Sequence, residues 1–196
     1  LPFKFLFSKP ADYFLLQRGD RFPLGILNNI QVPKLFWASE LVSRRRDQDR
    51  LFQYGFDHVF VRGEICRQVV IEKGWVQEDK ISILLSAFDP HIHTKKEVTK
   101  DIDVLFVGSL TKRRKEILDK IPRVTIAKAY GKDMVDLFNR AKIVLNIHAE
   151  EYVDTETRVF EVLGSGAFLL TEPLGKENPF MHGKHIVESD LALFSQ

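Results

Sequence analysis

The sequence predicts an α/β protein built on parallel sheets, and three observations carry that prediction. Short apolar runs rich in Val, Ile, Leu and Phe alternate with amphipathic stretches of helix length, each run bounded by turn residues. One polar stretch, DPHIHTKKEVTKD at residues 89–101, interrupts the alternation and divides it into two blocks. Hydrophobic residues make up 44% and charged residues 29% of the 196, an ordinary balance for a globular chain that buries its own core.

In the first block, Val32–Ala38 (VPKLFWA) reads as a strand and Leu41–Gln53 as a helix or helical loop, with Arg44, Arg45 and Arg46 near its start. Asp57–Val61 is the next strand. Glu64–Lys73 is the next helix, stopped by Gly74, and Ile81–Leu85 is a third strand. The second block begins at Val104–Val107, the clearest strand of the chain. A helix over Arg113–Lys120 follows, then a strand at Val124–Ala127 and a helix at Lys132–Arg140. Lys142–His148 reads as strand, Thr157–Leu163 as helix, Ala167–Thr171 as strand and His185–Val187 as a last short strand.

Bulk properties exclude several classes. A net charge of +2 gives no footing to a nucleic-acid partner. The lone cysteine, Cys66, forms no intrachain disulfide and fits a reducing compartment, so a cytoplasmic location is expected. No apolar stretch approaches the ~20 residues of a transmembrane segment. Lys4 and Lys9 break the apolar start that a signal peptide would need. The chain opens at Leu1 without Met and closes at Gln196, and the expectation is that sequence is missing at one or both ends.

Two stretches carry candidate chemistry. The first is DVLFVGSLTKRRKE, Asp103–Glu116: a strand, a Gly-Ser turn and a basic helix start. Free amides and the helix dipole at such a turn favour an anion. Gly108 and Ser109 allow close approach, and Lys112, Arg113 and Arg114 supply charge suited to phosphate oxygens. The plain alternative is a solvated basic turn. The second stretch runs from Asn146 to Glu172. Asn146 and His148 end a strand, at the carboxyl edge where open α/β sheets bind ligands. Thr155 is placed as the helix cap, and Thr157 and Arg158 lie in the first turn. Glu161 lies three residues beyond Arg158 on the same helix face, where a carboxylate can accept bonds from a ribose diol. The alternative for Arg158 and Glu161 is an ordinary surface ion pair, and for His148 a hydrogen-bonded loop residue. Glu172 ends the next strand and lines the same crevice. The scattered histidines make no metal site.

With these residues in view, the sequence resembles the CgeB-type (spore maturation protein) glycosyltransferases, within the wider group-1 glycosyltransferases. The elements KLFWASE, FDHVFV, LLSAFDP, DVLFVGSLTKRRKEIL, AKIVLNIH and TRVFEVLGSGAFLLTE match in that order, from about Lys34 to Ser189. The resemblance implies a GT-B fold of two Rossmann-like domains. The first would be an incomplete acceptor-side domain over residues 1–88, followed by a linker at 89–102 and a nucleotide-sugar-binding domain over 103–196. It implies that Gly108, Ser109 and Arg113 sit at the diphosphate and that Glu161 holds the ribose. It also implies a nucleoside diphosphate sugar as co-substrate, no metal ion or other cofactor, and an acceptor of unknown identity. The acidic residue that group-1 enzymes pair with the ribose glutamate has no match at clean spacing; the acidic loop Glu150–Asp154 lies in that region. Two other functions fit the residues. One is an inactive nucleotide-sugar-binding module, and the other is an unrelated α/β phosphate-binding interaction domain.

Overall fold

The computed structural model describes residues 10–40, 46–150 and 154–191. The chain forms two compact units that divide between Leu85 and Ser86.

In the first unit, strands β1 (Phe14–Gln17), β2 (Lys34–Ala38), β3 (His58–Val61) and β4 (Ile81–Ile83) form one parallel sheet in that order. Helix α1 (Arg46–Phe52) joins β2 to β3, and α2 (Glu64–Glu72) joins β3 to β4. Every connection steps the same way across the sheet, so right-handed crossovers put the helices on one face. Leu16, Phe36, Val59 and Ile81 lie in register across the four strands and share a core with Leu51, Phe52, Cys66 and Val70. Gly74, at φ +65°, closes α2 as expected. Strand β1 and a 3-10 turn at Leu24–Asn29 carry no clear sequence signal. Strand β1 is an edge of four residues with Leu15 55% exposed, and its short apolar run, Tyr13–Leu16, does not by itself tell a strand from another short apolar segment. Arg44 and Arg45 lie outside the described residues.

The second unit is a five-stranded parallel sheet in the order β6-β5-β7-β8-β9. Its strands are β5 (Ile102–Val107), β6 (Val124–Ala127), β7 (Ala141–Asn146), β8 (Leu169–Thr171) and β9 (Val187–Glu188). Helices α3 (Lys112–Leu118), α4 (Gly131–Arg140) and α5 (Thr157–Gly164) connect the first four. The chain leaves β5 in one direction and then returns past it to β7 and β8. Right-handed crossovers therefore place α3 on one face and α4 with α5 on the other. The core follows this division. Ile117 and Leu118 of α3 pack with Phe106, Leu145 and Ile147. Met134 and Phe138 of α4 and Val159 and Val162 of α5 pack with Leu105, Val107, Val144 and Leu169.

Residues 89–101, expected to link two domains, are fastened to the second unit. Asn139, 4% exposed near the end of α4, donates to the Thr94 carbonyl at 3.0 Å and accepts from the Lys96 amide at 2.6 Å. Lys100 Nζ donates to the carbonyls of Asn139 and Ala141 at 3.2 and 2.8 Å, capping the end of α4. Further upstream, Phe88 lies flat against Gly164. A Cβ at Gly164 would meet the Phe88 ring at 2.5 Å. Glycine to alanine in an exposed helix ordinarily stabilises by about 1 kcal/mol. Gly164→Ala is expected to reverse that sign and cost about 1–3 kcal/mol, because the ring must leave its place. Urea denaturation of the variant against the wild type measures it.

Candidate functional site

In the second sheet the connections leave β5 and β7 in opposite directions. The carboxyl edge between those two strands is the topological switch at which α/β sheets bind ligands. The loop after β5 (Gly108–Thr111), the loop after β6 (Lys128–Tyr130), the segment after β7 and the start of α5 all reach this edge. Glu151–Val153 of the acidic loop lie outside the described residues.

The two arginines expected to grip a diphosphate have other partners. Arg113 Nη1 donates to Glu172 Oε2 and to the His148 carbonyl, both at 2.9 Å, and Nη2 donates to Glu172 Oε1 at 2.5 Å. Arg114 Nε donates to the Ile147 carbonyl at 2.8 Å, Nη1 to the Ser109 carbonyl at 3.2 Å and Nη2 to Glu156 at 3.3 Å, with its guanidinium over the Phe106 ring. Thr111 caps α3 by accepting from the Arg114 amide, and its hydroxyl donates to the Ala149 carbonyl. The start of α3 is thus a brace that ties the loop after β5 to the segment after β7. Sequence reasoning took the basic run for a ligand site because it does not reveal which carboxylates fold back against it.

The three residues expected to line the pocket belong to the same brace. Asn146, His148 and Glu172 are 2%, 4% and 4% exposed. Asn146 Nδ2 donates to Thr171 Oγ1 at 2.9 Å. The His148 amide donates to Glu172 at 2.7 Å, and its Nε2 lies 2.9 Å from the Pro173 carbonyl. The strand end does carry polar groups, but they face inward and pair with β8 rather than opening to solvent.

Helix α5 presents a different arrangement on the opposite face of the sheet. It begins at Thr157 with Glu156 in the capping position and no side-chain cap bond; Thr155, expected as the cap, instead donates its amide to Glu177 at 2.9 Å. Thr157 Oγ1 donates to Ser86 Oγ at 3.0 Å. Arg158 Nη1 lies 2.9 Å from Glu161 Oε2, contacts Met134 Sδ and sits over the Phe138 ring. Their side chains are 19% and 20% exposed, so this is a mostly buried pair rather than a surface one. Burial pulls the Arg158 guanidinium below its ordinary range, against the opposing charges of Glu161 and Glu156 and the neighbouring Tyr130; an arginine remains a cation under such a pull. His93 comes up behind this pair, 9% exposed, with Nε2 3.9 Å from Glu161 Oε1. Nothing in its polar surroundings marked it as a site residue.

The pairing of Arg113 with Glu161 across one crevice is therefore corrected. Arg113 stands on the α3 face and Glu161 on the α5 face, and the cation beside Glu161 is Arg158. Open space lies along the loops after β5 and β6. A cleft of about 450 Å³ is lined by Gly108, Ser109, Leu110, Ile126, Ala127 and Lys128. Tyr130, two residues beyond Lys128 and 70% exposed, lies within electrostatic range of Arg158, so the loop after β6 extends from the cleft toward α5. Lys112 stands at the rim of the loop after β5, 92% exposed and 3.9 Å from Glu116.

The family described as glycosyl transferase-like matches residues 91–193, which include every candidate residue named above. No curated protein matches the chain. Among solved structures, a sucrose-phosphate synthase from Thermosynechococcus elongatus aligns with a TM-score of 0.59 at 11% identity, covering 88% of this chain and 59% of that one. The accessory secretory protein 1, 2 and 3 structure from Streptococcus pneumoniae aligns at 0.57 and 15% identity, over 99% and 47%. A glycosyltransferase from Rickettsia africae ESF-5 aligns at 0.53 and 11% identity, over 83% and 58%. The chain thus spans roughly half to three fifths of these structures. At such identities the likeness is one of fold: two parallel α/β sheets of the GT-B kind.

Burial pushes the pKa of Glu172 up, but the bonds from Arg113 and the His148 amide outweigh it and hold the carboxyl below its ordinary value of 4.5. A carboxylate with a depressed folded value stabilises above the unfolded value, and that contribution is lost as pH falls through the folded one. Glu172→Gln is expected to cost about 3 kcal/mol, because it leaves Arg113 without its carboxylate partner. The gap between wild type and variant should hold constant above about pH 5 and narrow below it. Urea denaturation across that range checks both the size and the direction.

Proposed function

The chain belongs to the glycosyl transferase-like family, and from that premise we propose that its second unit holds the nucleoside diphosphate of a sugar donor. The observation that carries this reading is the Arg158–Glu161 pair. A cation and a carboxylate one helical turn apart are held together at 2.9 Å on α5, beside the loop that walls the open cleft. Glu161 supplies acceptor oxygens for the ribose hydroxyls. Arg158, with Thr157 in the first turn of α5, faces the diphosphate. Gly108 and Ser109 give the phosphates a close approach, and Lys112 adds charge at the rim. Arg113 and Arg114 serve by positioning the loops, and Asn146, His148 and Glu172 form the frame behind them.

The chemistry follows from that placement. In glycosyl transfer, the bond between the anomeric carbon and the diphosphate oxygen breaks, and its electron pair leaves with the diphosphate. The acceptor forms the new bond to the anomeric carbon and gives up its proton. Negative charge therefore grows on the leaving diphosphate, and preorganised cations and amides are most effective where charge develops. A desolvated Arg158 is such a group, since its attraction for an anion is less screened than in water.

The test is a melting-temperature screen against nucleoside diphosphates of the common bases, followed by calorimetry on the one that binds. A ligand that binds the native state raises the melting temperature. Glu161→Ala is expected to lose at least tenfold in affinity, about 1.4 kcal/mol, and, because it unpairs the mostly buried Arg158, also to lower the melting temperature of the unliganded protein, so affinities are compared where both proteins are folded. Lys112→Ala should lose more affinity for the diphosphate than for the bare nucleoside. Unchanged affinity in Glu161→Ala would remove the ribose assignment, and equal losses in Lys112→Ala would remove the phosphate one.

A further inference from the structure

We propose that His93 is a positioning residue for Glu161, holding from behind the carboxylate that the reading above assigns to the ribose, and the inference rests on that reading. His93 comes from residues 89–101, which have no regular structure and carry no other assigned role. It is nonetheless 9% exposed, and its Nε2 is buried with no hydrogen-bond partner among the described residues. That nitrogen faces Glu161 Oε1 at 3.9 Å, while the other carboxylate oxygen, Oε2, lies 2.9 Å from Arg158. The carboxylate therefore stands between two nitrogen groups, one on its own helix and one on the preceding segment.

The ring's orientation is set by its other side. Nδ1 lies 3.2 Å from the Asp89 amide nitrogen and 3.0 Å from the Asp89 carbonyl oxygen. Accepting from the amide leaves the proton of the neutral ring on Nε2, where the N–H points at the carboxylate. The other tautomer would turn a lone pair toward a negative charge, so electrostatics favours the first. A protonated ring also presents Nε2–H to Glu161.

The segment cannot easily carry the ring away. Phe88 meets the His93 ring edge-on at 6.2 Å and is itself seated on Gly164. Ser86 is bonded to Thr157 at the head of α5, and Asn139 holds Thr94 and Lys96 on the far side of the histidine. At 3.9 Å the Nε2–H steers Glu161 without forming a full hydrogen bond, so Oε1 keeps a lone pair for a ligand hydroxyl. This is preorganisation supplied by a supporting residue, which lowers the ordering cost of binding.

The experiment compares the affinity of a nucleoside diphosphate with that of its 2′-deoxy form, measured by calorimetry on the whole chain. Wild type is expected to prefer the ribonucleotide, and Glu161→Ala to lose the preference. His93→Leu should lose at least fivefold of it while inorganic pyrophosphate binds as before. His93→Gln, whose amide N–H reaches the place of Nε2, should keep most of it, and His93→Asn, whose amide stops short, should not. The Gln and Asn pair carries the test if the leucine variant fails to fold. A folded His93→Leu with wild-type discrimination overturns the proposal, as does equal impairment of the Gln and Asn variants, which would mark a packing role alone. If wild type and Glu161→Ala discriminate equally, the ribose reading itself falls and takes this inference with it.

Discussion

The contact between Arg113 and Glu172 is the constraint on which the site edge depends. A parallel sheet with a topological switch leaves a gap where neighbouring connections diverge, and that gap is where a ligand fits. The same gap would let the strand-end loops drift apart. Here a guanidinium on α3 reaches across to a carboxylate at the end of β8 and to the carbonyl of His148. The carboxylate in turn receives the His148 amide. A fork-shaped donor meeting a two-oxygen acceptor fixes direction as well as distance. Glu172 is nearly fully buried, so the bond works in a medium where its loss leaves an uncompensated charge. The loops after β5, β7 and β8 consequently behave as one piece.

That rigidity allows a division of labour between the two faces of the sheet. The arginines of α3 bond to carbonyls and carboxylates of their own unit. The arginine of α5 pairs with the carboxylate of Glu161 and lies over the Phe138 ring. Identical side chains thus sit in opposite surroundings, and on the proposed reading those surroundings give them different roles. A cation already holding two oxygens of a buried glutamate gains little by exchanging them for phosphate oxygens. A cation drawn down by burial, paired at 2.9 Å through one guanidinium nitrogen with Glu161, has more to gain from a further anion.

Much of the fold was legible in the sequence, because β5 to β8 are apolar runs of strand length separated by amphipathic stretches. The parallel arrangement followed from that alternation. The edge strand β1 escaped notice because its apolar run, Tyr13–Leu16, is short, and a run that short does not separate an edge strand from other apolar segments. At the site, helical spacing put Arg158 and Glu161 on one face of α5; the ion pair weighed there as a surface alternative is present, but mostly buried. The roles of Arg113, Asn146, His148 and Glu172 were not visible. Each side chain is polar and each lies at a strand or helix end, which is what a ligand site and an internal brace have in common. Only the partner tells them apart, and the partners lie 35 and 59 residues away along the chain for Arg113.

Residues 89–101 show the same limit from the other direction. A stretch without apolar periodicity reads as linker, on the premise that order comes from burying apolar surface. Order can also come from satisfying backbone groups. Asn139 is a buried amide with a donor for one carbonyl and an acceptor for one amide of that stretch, and Lys100 closes the end of α4 with a cation near two carbonyls. Once the backbone is held this way, the side chains it carries need not be apolar to be buried. That is how a histidine in a run of charged residues arrives behind a glutamate on α5. It is also why composition alone could not separate a connecting segment from one packed against α4 and α5.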